Sequence, residues 1–170
     1  MEIRILIRHI IYFVILYLLQ ILVFNYITLG PGLFPSVYLL IIILLPIEIE
    51  KIWLLVTAFF VGFILDFSND TLALNTSALL FATFLRPFIL QSISIREGYE
   101  IGKLPSFKNY GVNWFILYTL IFVFIFEFVY LSLDIFSFSK IGVILLKSVV
   151  NTLFSASFVV LLHLLFFRNS

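Results

Sequence analysis

Two ionisable side chains, Glu127 and Lys147, lie inside long apolar runs of the sequence, at residues 114–133 and 141–167. If both runs are membrane helices, each charge costs roughly 2.5–3.5 kcal/mol at mid-span, and such groups usually pair with one another. Consecutive spans run in opposite directions, and each residue lies about six positions from the shared end, or roughly 9 Å at 1.5 Å per residue. We therefore predict an interhelical ion pair. The alternative is a protonated Glu127, with the Lys147 ammonium reaching the surface.

Lys147 also begins a polar stripe along its run, because residues spaced by four share one helix face. The stripe continues through Asn151, Ser155 and His163. One interpretation is a pathway for protons or ions, and the other is a polar seam that joins helices by hydrogen bonds. We favour the seam, because a coupled transporter would need more than one deeply buried acid.

A further polar group follows the apolar run that ends near residue 67, in the stretch GFILDFSNDTLALNTSALLFATFLRP that begins at Gly62. Gly62 and Asp66 continue the helix face of Ala58, and Ala78 and Ala82 form a second stripe of small residues after the turn. Small residues four positions apart let membrane helices approach closely. The pattern predicts a closely packed helical hairpin.

Asp66 and Asp70 are expected to lie together at the rim of this hairpin, next to Thr71 and Leu72. Two carboxylates can hold a metal ion or act as an acid–base pair. However, no histidine is near them in the sequence, and both histidines are expected toward the opposite side of the membrane. We predict that the aspartates cap the turn and the following helix, or meet a partner protein at the surface.

The sequence contains no other pattern of a catalytic or cofactor site. It lacks a phosphate-binding Gly-rich loop and an HExxH motif, and it has no cysteine for thiolate chemistry. Its formal net charge is +1, with no basic, aromatic-rich stripe of the kind that binds nucleic acid. We predict a protein that is not an enzyme, holds no cofactor or metal, and binds no nucleic acid.

Composition places residues 1–170 in a single polytopic membrane domain. Of the 170 residues, 64% are hydrophobic and 11% are charged, and the mean hydropathy is +1.24, whereas about a quarter of the residues of soluble domains are charged. A span takes about 20 residues. We predict an all-α integral membrane protein with six transmembrane helices, at about 10–27, 36–47, 52–67, 76–91, 114–133 and 141–167. The run 36–47 is short, and either a tilted span or a re-entrant segment would accommodate it.

Basic residues predict the orientation, because cytoplasmic loops are enriched in Lys and Arg. Six spans with both termini in the cytoplasm leave Lys140 outside. They place eight basic residues inside, namely Arg4, Arg8, Lys51, Arg86, Arg96, Lys103, Lys108 and Arg168. Five spans with a re-entrant 36–47 run would move Lys51 outside, so we favour six.

The hairpin stretch resembles the rod shape-determining protein MreD family. The shared elements are a G-xxx-D, a polar turn with Thr-Leu and a following apolar helix, here Gly62, Asp66, Thr71 and Leu72. The resemblance extends weakly along nearly the whole chain, through Pro35, Pro46 and the Val-Val-Asn at 149–151. The turn departs from the family at Ala73 and Asn75, where a Gly and a basic residue are common.

The resemblance implies an integral scaffold of the cell-elongation machinery in the bacterial cytoplasmic (inner) membrane. It implies binding to MreC beside the actin-like MreB filament, near the glycan polymerase RodA and its partner penicillin-binding transpeptidase. Such a scaffold would position peptidoglycan synthesis and help to maintain cell shape, with no reaction of its own. The residues expected to meet partners are Asp66, Asp70 and the turn 71–74.

Two other functions remain open. The substrate-binding membrane subunits of energy-coupling-factor vitamin transporters are also small six-helix proteins, and the MreD family is similar to them in architecture. They typically carry an Ala-xxx-Ala stripe on the first helix, where this chain has no alanine, and the predicted outer loops are poor in polar groups for holding a vitamin. A membrane enzyme using Glu127, Asp66 or Asp134 is the last alternative.

Overall fold

The computed structural model describes residues 3–27, 30, 34–93, 99 and 104–166, with side chains from residue 11 onward except at position 138. This part of the chain is helical and contains no strand. Single turns of 3-10 helix lie at Phe24–Tyr26 and Phe138–Lys140. The α-helices are α1 (Ile3–Leu22), α2 (Leu39–Ile43), α3 (Lys51–Asn69), α4 (Leu74–Ser92), α5 (Phe107–Tyr110), α6 (Val112–Ile135) and α7 (Ile141–Phe166).

The predicted helices 52–67, 76–91 and 114–133 correspond to α3, α4 and α6, whose ends lie within two residues of the predicted ones. The predicted helix 141–167 corresponds to α7. The first helix begins at Ile3, earlier than expected, and so includes Arg4 and Arg8. Arg96, Lys103 and Arg168, which the charge argument placed in the cytoplasm, lie outside the described residues.

The bundle holds polar and charged side chains within an apolar core, and large apolar side chains cover much of its surface. Its interior holds polar and charged side chains, including Asp66, Arg86, Glu127 and His163, while aromatic residues such as Phe60 lie on its surface. By length and composition, α3, α6 and α7 can each cross a membrane. An apolar surface that faces lipid, together with buried polar groups that bind one another inside, is typical of membrane bundles. The chain is therefore an all-helical, membrane-embedded protein.

The run predicted as the second helix, 36–47, forms the centre of the bundle. It contains only the five-residue helix α2. We call residues 34–47 the central segment; from Ser36 to Leu45 every residue except Ile41 is buried. Because its helix is so short, many backbone groups at its ends lack helical partners. Polar side chains from the surrounding helices supply those partners instead.

Contacts give the direction of each element relative to the hairpin face, which we define as the side of the bundle where the turn 70–73 joins α3 to α4. The chain after α1 reaches this face, because the Asn25 amide donates to Asn69 Oδ1 (2.8 Å). The central segment then runs away from it, from beside Asn75 to beside Arg86 on α4. These two residues are eleven positions apart, or about 16 Å along a helix. α3 returns to the face and α4 leaves it.

The last two long helices continue this alternation. α6 runs toward the hairpin face. Its Tyr118 contacts Arg86, which binds the end of the central segment, and its Glu127, further along the helix, contacts the start of that segment. α7 runs away from the face, since Asn151 contacts Glu127 and His163 packs on Phe115 near the other end of α6. The beginning of α1 and the end of α7 therefore lie on the side opposite the hairpin face.

Candidate functional site

Asp66, near the end of α3, holds the following turn and the start of α4 through five side-chain hydrogen bonds. Its Oδ1 accepts from the Thr71 hydroxyl, the Asn75 backbone N–H (2.9 Å) and the Asn75 side-chain amide (3.0 Å). Its Oδ2 accepts from the backbone N–H (2.8 Å) and the hydroxyl of Thr76. Asn75 and Thr76 are the second and third residues of α4, where backbone N–H groups have no partner within the helix. Asp66 therefore caps α4 from the neighbouring helix.

The residue that precedes α4 cannot perform this capping itself. It is Ala73, in the left-handed conformation (φ 59°) and without a side-chain cap. A carboxylate is well suited to replace it, because the N-terminus of a helix carries partial positive charge. The capping interaction thus also joins α3 to α4, which a capping side chain from the residue before α4 would not do.

Gly62 permits the close approach that this capping requires. A Cβ atom at this position would lie 2.5 Å from Thr76 Cα and 2.9 Å from its nitrogen. Ala58, Ala78 and Ala82 are likewise buried. The hairpin predicted from the small residues is therefore present, and Gly62 and Asp66 both act where α3 meets the first turn of α4.

Asp70, Thr71 and Leu72 have separate positions in the turn. Asp70 is exposed and ends α3 in the left-handed conformation, while Asp66 is only 6% exposed. The two aspartates thus lie one turn apart at the same end of α3 but differ in exposure, and the predicted capping role belongs to Asp66, with Thr71 as one of its donors. Leu72 is 94% exposed and presents an apolar side chain at the hairpin face.

Glu127 on α6, which is 1% exposed, binds the start of the central segment. Its Oε1 accepts from the hydroxyls of Ser36 (2.9 Å) and Ser155 (3.3 Å), and its Oε2 accepts from the Asn151 amide (2.6 Å). The backbone N–H of Ser36 donates to the Ser155 hydroxyl (3.0 Å). One carboxylate therefore joins α6, α7 and the central segment.

Asn151 and Ser155 of the α7 polar stripe contact this carboxylate, whereas His163 packs against Phe115 further along the bundle; all three are buried. Lys147 is half-buried, one turn before Asn151. The ion pair between Glu127 and Lys147 stays a prediction, since the hydrogen bonds described for Glu127 come from uncharged donors.

Gln20 of α1 holds the same end of the central segment from the other side. Its Oε1 accepts from the backbone N–H groups of Val37 (2.9 Å) and Tyr38 (3.4 Å), and its Nε2 donates to the Pro35 carbonyl (3.0 Å) and to Asn25. These bonds supply partners to backbone groups in front of α2, which begins at Leu39.

Arg86 holds the opposite end of the central segment. Its guanidinium, which is 1% exposed, donates to the carbonyls of Leu45 and Pro46 (3.3 Å) and to the Tyr118 hydroxyl (2.7 Å). The charge argument had counted Arg86 among the cytoplasmic cations. The structure instead places Arg86 inside the bundle, where it binds the carboxyl-terminal end of the central segment. Without Arg86, the charge argument counts seven basic residues on the cytoplasmic side and one outside.

A cavity of about 240 Å³ lies between these polar groups and the hairpin face. It extends from the exposed Asn69 to the buried Glu127. Aromatic rings form much of its wall, from Phe34, Tyr38, Phe126 and Tyr130. The Tyr38 hydroxyl donates to Asn75 Oδ1 (2.8 Å), so the cavity connects the Glu127 cluster with the capping contacts of Asp66.

Gln20, Ser36, Asn75 and Arg86 are central to this site, and the sequence did not identify them as such. Gln20 interrupts an apolar run, and Arg86 lies six residues before the end of an apolar helix. Those positions were the available signal, because a polar side chain in an apolar run usually faces a protein interior or a water-filled cavity.

Across the residues that the structure describes, no group of three His, Asp or Glu side chains converges as a metal site. The chain matches no protein-family model, no characterised protein and no solved structure.

Proposed function

We propose that this protein is a non-catalytic membrane scaffold whose hairpin face binds a partner protein. The observation that carries the proposal is a set of exposed apolar side chains at that face. Tyr26, Phe67, Leu72 and Phe136 are each more than four-fifths exposed, and Leu72 lies on a turn that the Asp66 contacts hold in place. Exposed apolar residues on a rigid base are typical of protein-binding surfaces.

The MreD resemblance supplies the identity of the partner and the cellular setting. On this proposal the chain spans the bacterial cytoplasmic membrane six times, with both termini in the cytoplasm and the hairpin face outside. The alternating direction of the six segments supports this arrangement. The partner is MreC, and RodA, the penicillin-binding transpeptidase and MreB belong to the same assembly.

Site-specific photo-crosslinking in native membranes tests the proposal. A photoreactive residue at Leu72 should crosslink to an MreC-like protein. The matched control is Phe88, which is also exposed on the hairpin (55%) but lies sixteen positions after Leu72, toward the far end of α4; it should not crosslink. Equal crosslinking from both positions, or none from Leu72, would contradict a partner at the hairpin face.

The cavity favours a second candidate, a membrane subunit that binds a small molecule for a transporter. A polar, aromatic-walled cavity that opens near the surface is typical of ligand sites. Gentle detergent extraction followed by identification of the co-purified proteins separates the two functions. Paired ATPases with a membrane coupling subunit would support transport, whereas an MreC-like protein with cell-wall synthases would support the scaffold.

A further inference from the structure

We propose that the cavity beneath the hairpin face binds a small organic ammonium group, with Glu127 as its counter-ion. Among its described lining residues, Glu127 is the one charged side chain, and no lysine, arginine or histidine is present. The carboxylate is buried, and its described hydrogen bonds come from the uncharged Ser36, Asn151 and Ser155. A buried negative charge is strongly stabilised by a cationic partner. The site therefore favours a cation over an anion.

The wall of the cavity favours an organic cation. Phe126 lies between two other rings, with its centroid 5.9 Å from that of Tyr38 at an interplanar angle of 88°, and 5.9 Å from that of Tyr130 at 29°. All three rings line the cavity together with Phe34. Aromatic faces attract alkylammonium groups and are the usual walls of sites for quaternary ammonium ligands.

The size and position of the cavity limit the ligand. A volume of about 240 Å³ is many times the roughly 10–15 Å³ that a cavity needs to hold one water molecule, and it is enough for a small alkylammonium group. Among the lining residues Asn69 is exposed, and it is the last residue of α3, a helix long enough to cross a membrane; the exposed end of the cavity is therefore expected at the level of the lipid headgroups. The ammonium can therefore belong to a soluble amine or to an ethanolamine headgroup, and both present the same chemistry to Glu127.

This site does not depend on the scaffold role, because the exposed side chains proposed to meet a partner, such as Leu72 and Phe136, are not among the lining residues. Crosslinking at Leu72 tests the scaffold, and ligand binding tests the cavity. Either proposal can fail while the other stands.

The experiment uses the purified full chain in detergent, with tetramethylammonium chloride as the soluble probe and sodium chloride at equal ionic strength as the control. We expect a saturable rise in thermal midpoint with tetramethylammonium alone. In a second arm, native mass spectrometry compares retention of phosphatidylethanolamine and phosphatidylglycerol. Selective retention of phosphatidylethanolamine identifies the headgroup as the source, and its absence alongside tetramethylammonium binding identifies a soluble amine. No saturable response to either probe would overturn the site.

Glu127→Gln is the matched neutral variant, and it should weaken tetramethylammonium binding at least tenfold. The glutamine can keep the local hydrogen bonds, because Asn151 Oδ1 has no partner among the described residues and can accept once its amide rotates. Asp134→Asn removes an exposed acid from the same helix and should leave binding unchanged. If Glu127→Gln fails to fold, Tyr130→Leu tests the wall and should weaken binding several-fold. Unchanged binding in the folded Glu127→Gln protein, or in Tyr130→Leu, would overturn the proposal.

Discussion

At the scale of single residues, Gly62 and Asp66 act as one device. The glycine lets the first turn of α4 reach the surface of α3, where a Cβ would lie 2.5 Å from Thr76 Cα. The aspartate, one turn later, then accepts hydrogen bonds from the backbone N–H groups of Asn75 and Thr76. The two residues depend on each other. Asp66 can cap α4 only when α3 and α4 are close together, and that close packing buries polar groups of α4 that need hydrogen-bond partners.

Replacement of Asp66 by asparagine should lower the free energy of unfolding in detergent by about 2–3 kcal/mol. The asparagine side chain keeps one acceptor but turns an NH2 group toward the donors of α4, and a hydrogen bond to a charged group contributes about 1.5–3 kcal/mol. Asp70→Asn is the control, since an exposed substitution should change stability by less than about 0.5 kcal/mol. Equal effects of the two variants would contradict the assignment of the cap to Asp66.

Replacement of Gly62 by alanine should destabilise the protein by about 1–3 kcal/mol, the usual cost of overpacking. This loss would exceed the gain of about 1 kcal/mol that alanine brings to a helix. Gly142→Ala is the control, because a Cβ at that helical position meets nothing within 4 Å apart from its chain neighbours and its own helix backbone, so it should be neutral or stabilising. Thermal unfolding of both variants in the same detergent measures the difference, and a stable Gly62→Ala protein would argue against close packing at Thr76.

At the scale of elements, the central segment is held by side chains at both of its ends. Gln20 and Glu127 bind its beginning, and Arg86 binds the carbonyls at its end. A five-residue helix satisfies few of its own backbone groups, so a short, buried segment depends on such partners. The polar side chains inside this bundle thus replace the hydrogen bonds that a longer helix would have made internally.

Replacement of Arg86 by methionine should destabilise the protein by about 3 kcal/mol. It leaves the buried Leu45 carbonyl, the half-buried Pro46 carbonyl and the Tyr118 hydroxyl without their donor, at roughly 1–3 kcal/mol for each unsatisfied buried group, less the relief from no longer burying a charge. The control is Lys51→Met, whose exposed ammonium lies 4.2 Å from the Phe84 ring centroid; such a contact contributes about 0.5–1 kcal/mol. Similar losses of unfolding free energy in both variants would show that Arg86 does not anchor the segment.

The predicted ion pair between Glu127 and Lys147 can be tested by exchanging the charges. If the pair forms, Glu127→Lys and Lys147→Glu should each reduce the yield of folded protein, and the double exchange should restore it, because opposite charges again meet. Monodispersity on size exclusion in detergent measures the yield. A restored yield of folded protein would show that Glu127 pairs with Lys147, and it would argue against the ammonium site. A Glu127→Gln protein with unchanged stability and function would contradict the pair.

At the scale of the whole molecule, the six segments alternate in direction, so the hairpin face and the side with the beginning of α1 and the end of α7 are opposite. Because the chain has no cysteine, single cysteines can report on each side without background. Leu72→Cys should react with a membrane-impermeant maleimide in intact cells, and Lys108→Cys only after permeabilisation. Labelling of Lys108→Cys in intact cells would overturn the proposed orientation.

Several features of the fold could be predicted from sequence for clear physical reasons. The apolar runs of α3, α6 and α7 are long enough to cross a membrane, and length is set by bilayer thickness. The small residues Ala58, Gly62, Ala78 and Ala82 predicted the close hairpin, since helix approach depends on side-chain size. The extent of α2 was not predictable, because apolar composition alone does not tell a full span from a short helix with its ends bound to side chains.

Hydrophobicity and residue size act locally along the chain, so a helical membrane protein with a tight α3–α4 hairpin could be predicted from the residues alone. The pairing of hydrogen-bond donors with acceptors became apparent only in the packed bundle. Ser36 and Glu127 are separated by 91 positions, and Arg86 and Leu45 by 41. Such pairs depend on how the helices are placed around the central segment, and that placement is a property of the packed bundle as a whole. For the same reason the cavity, whose walls come from distant parts of the chain, has no local signature.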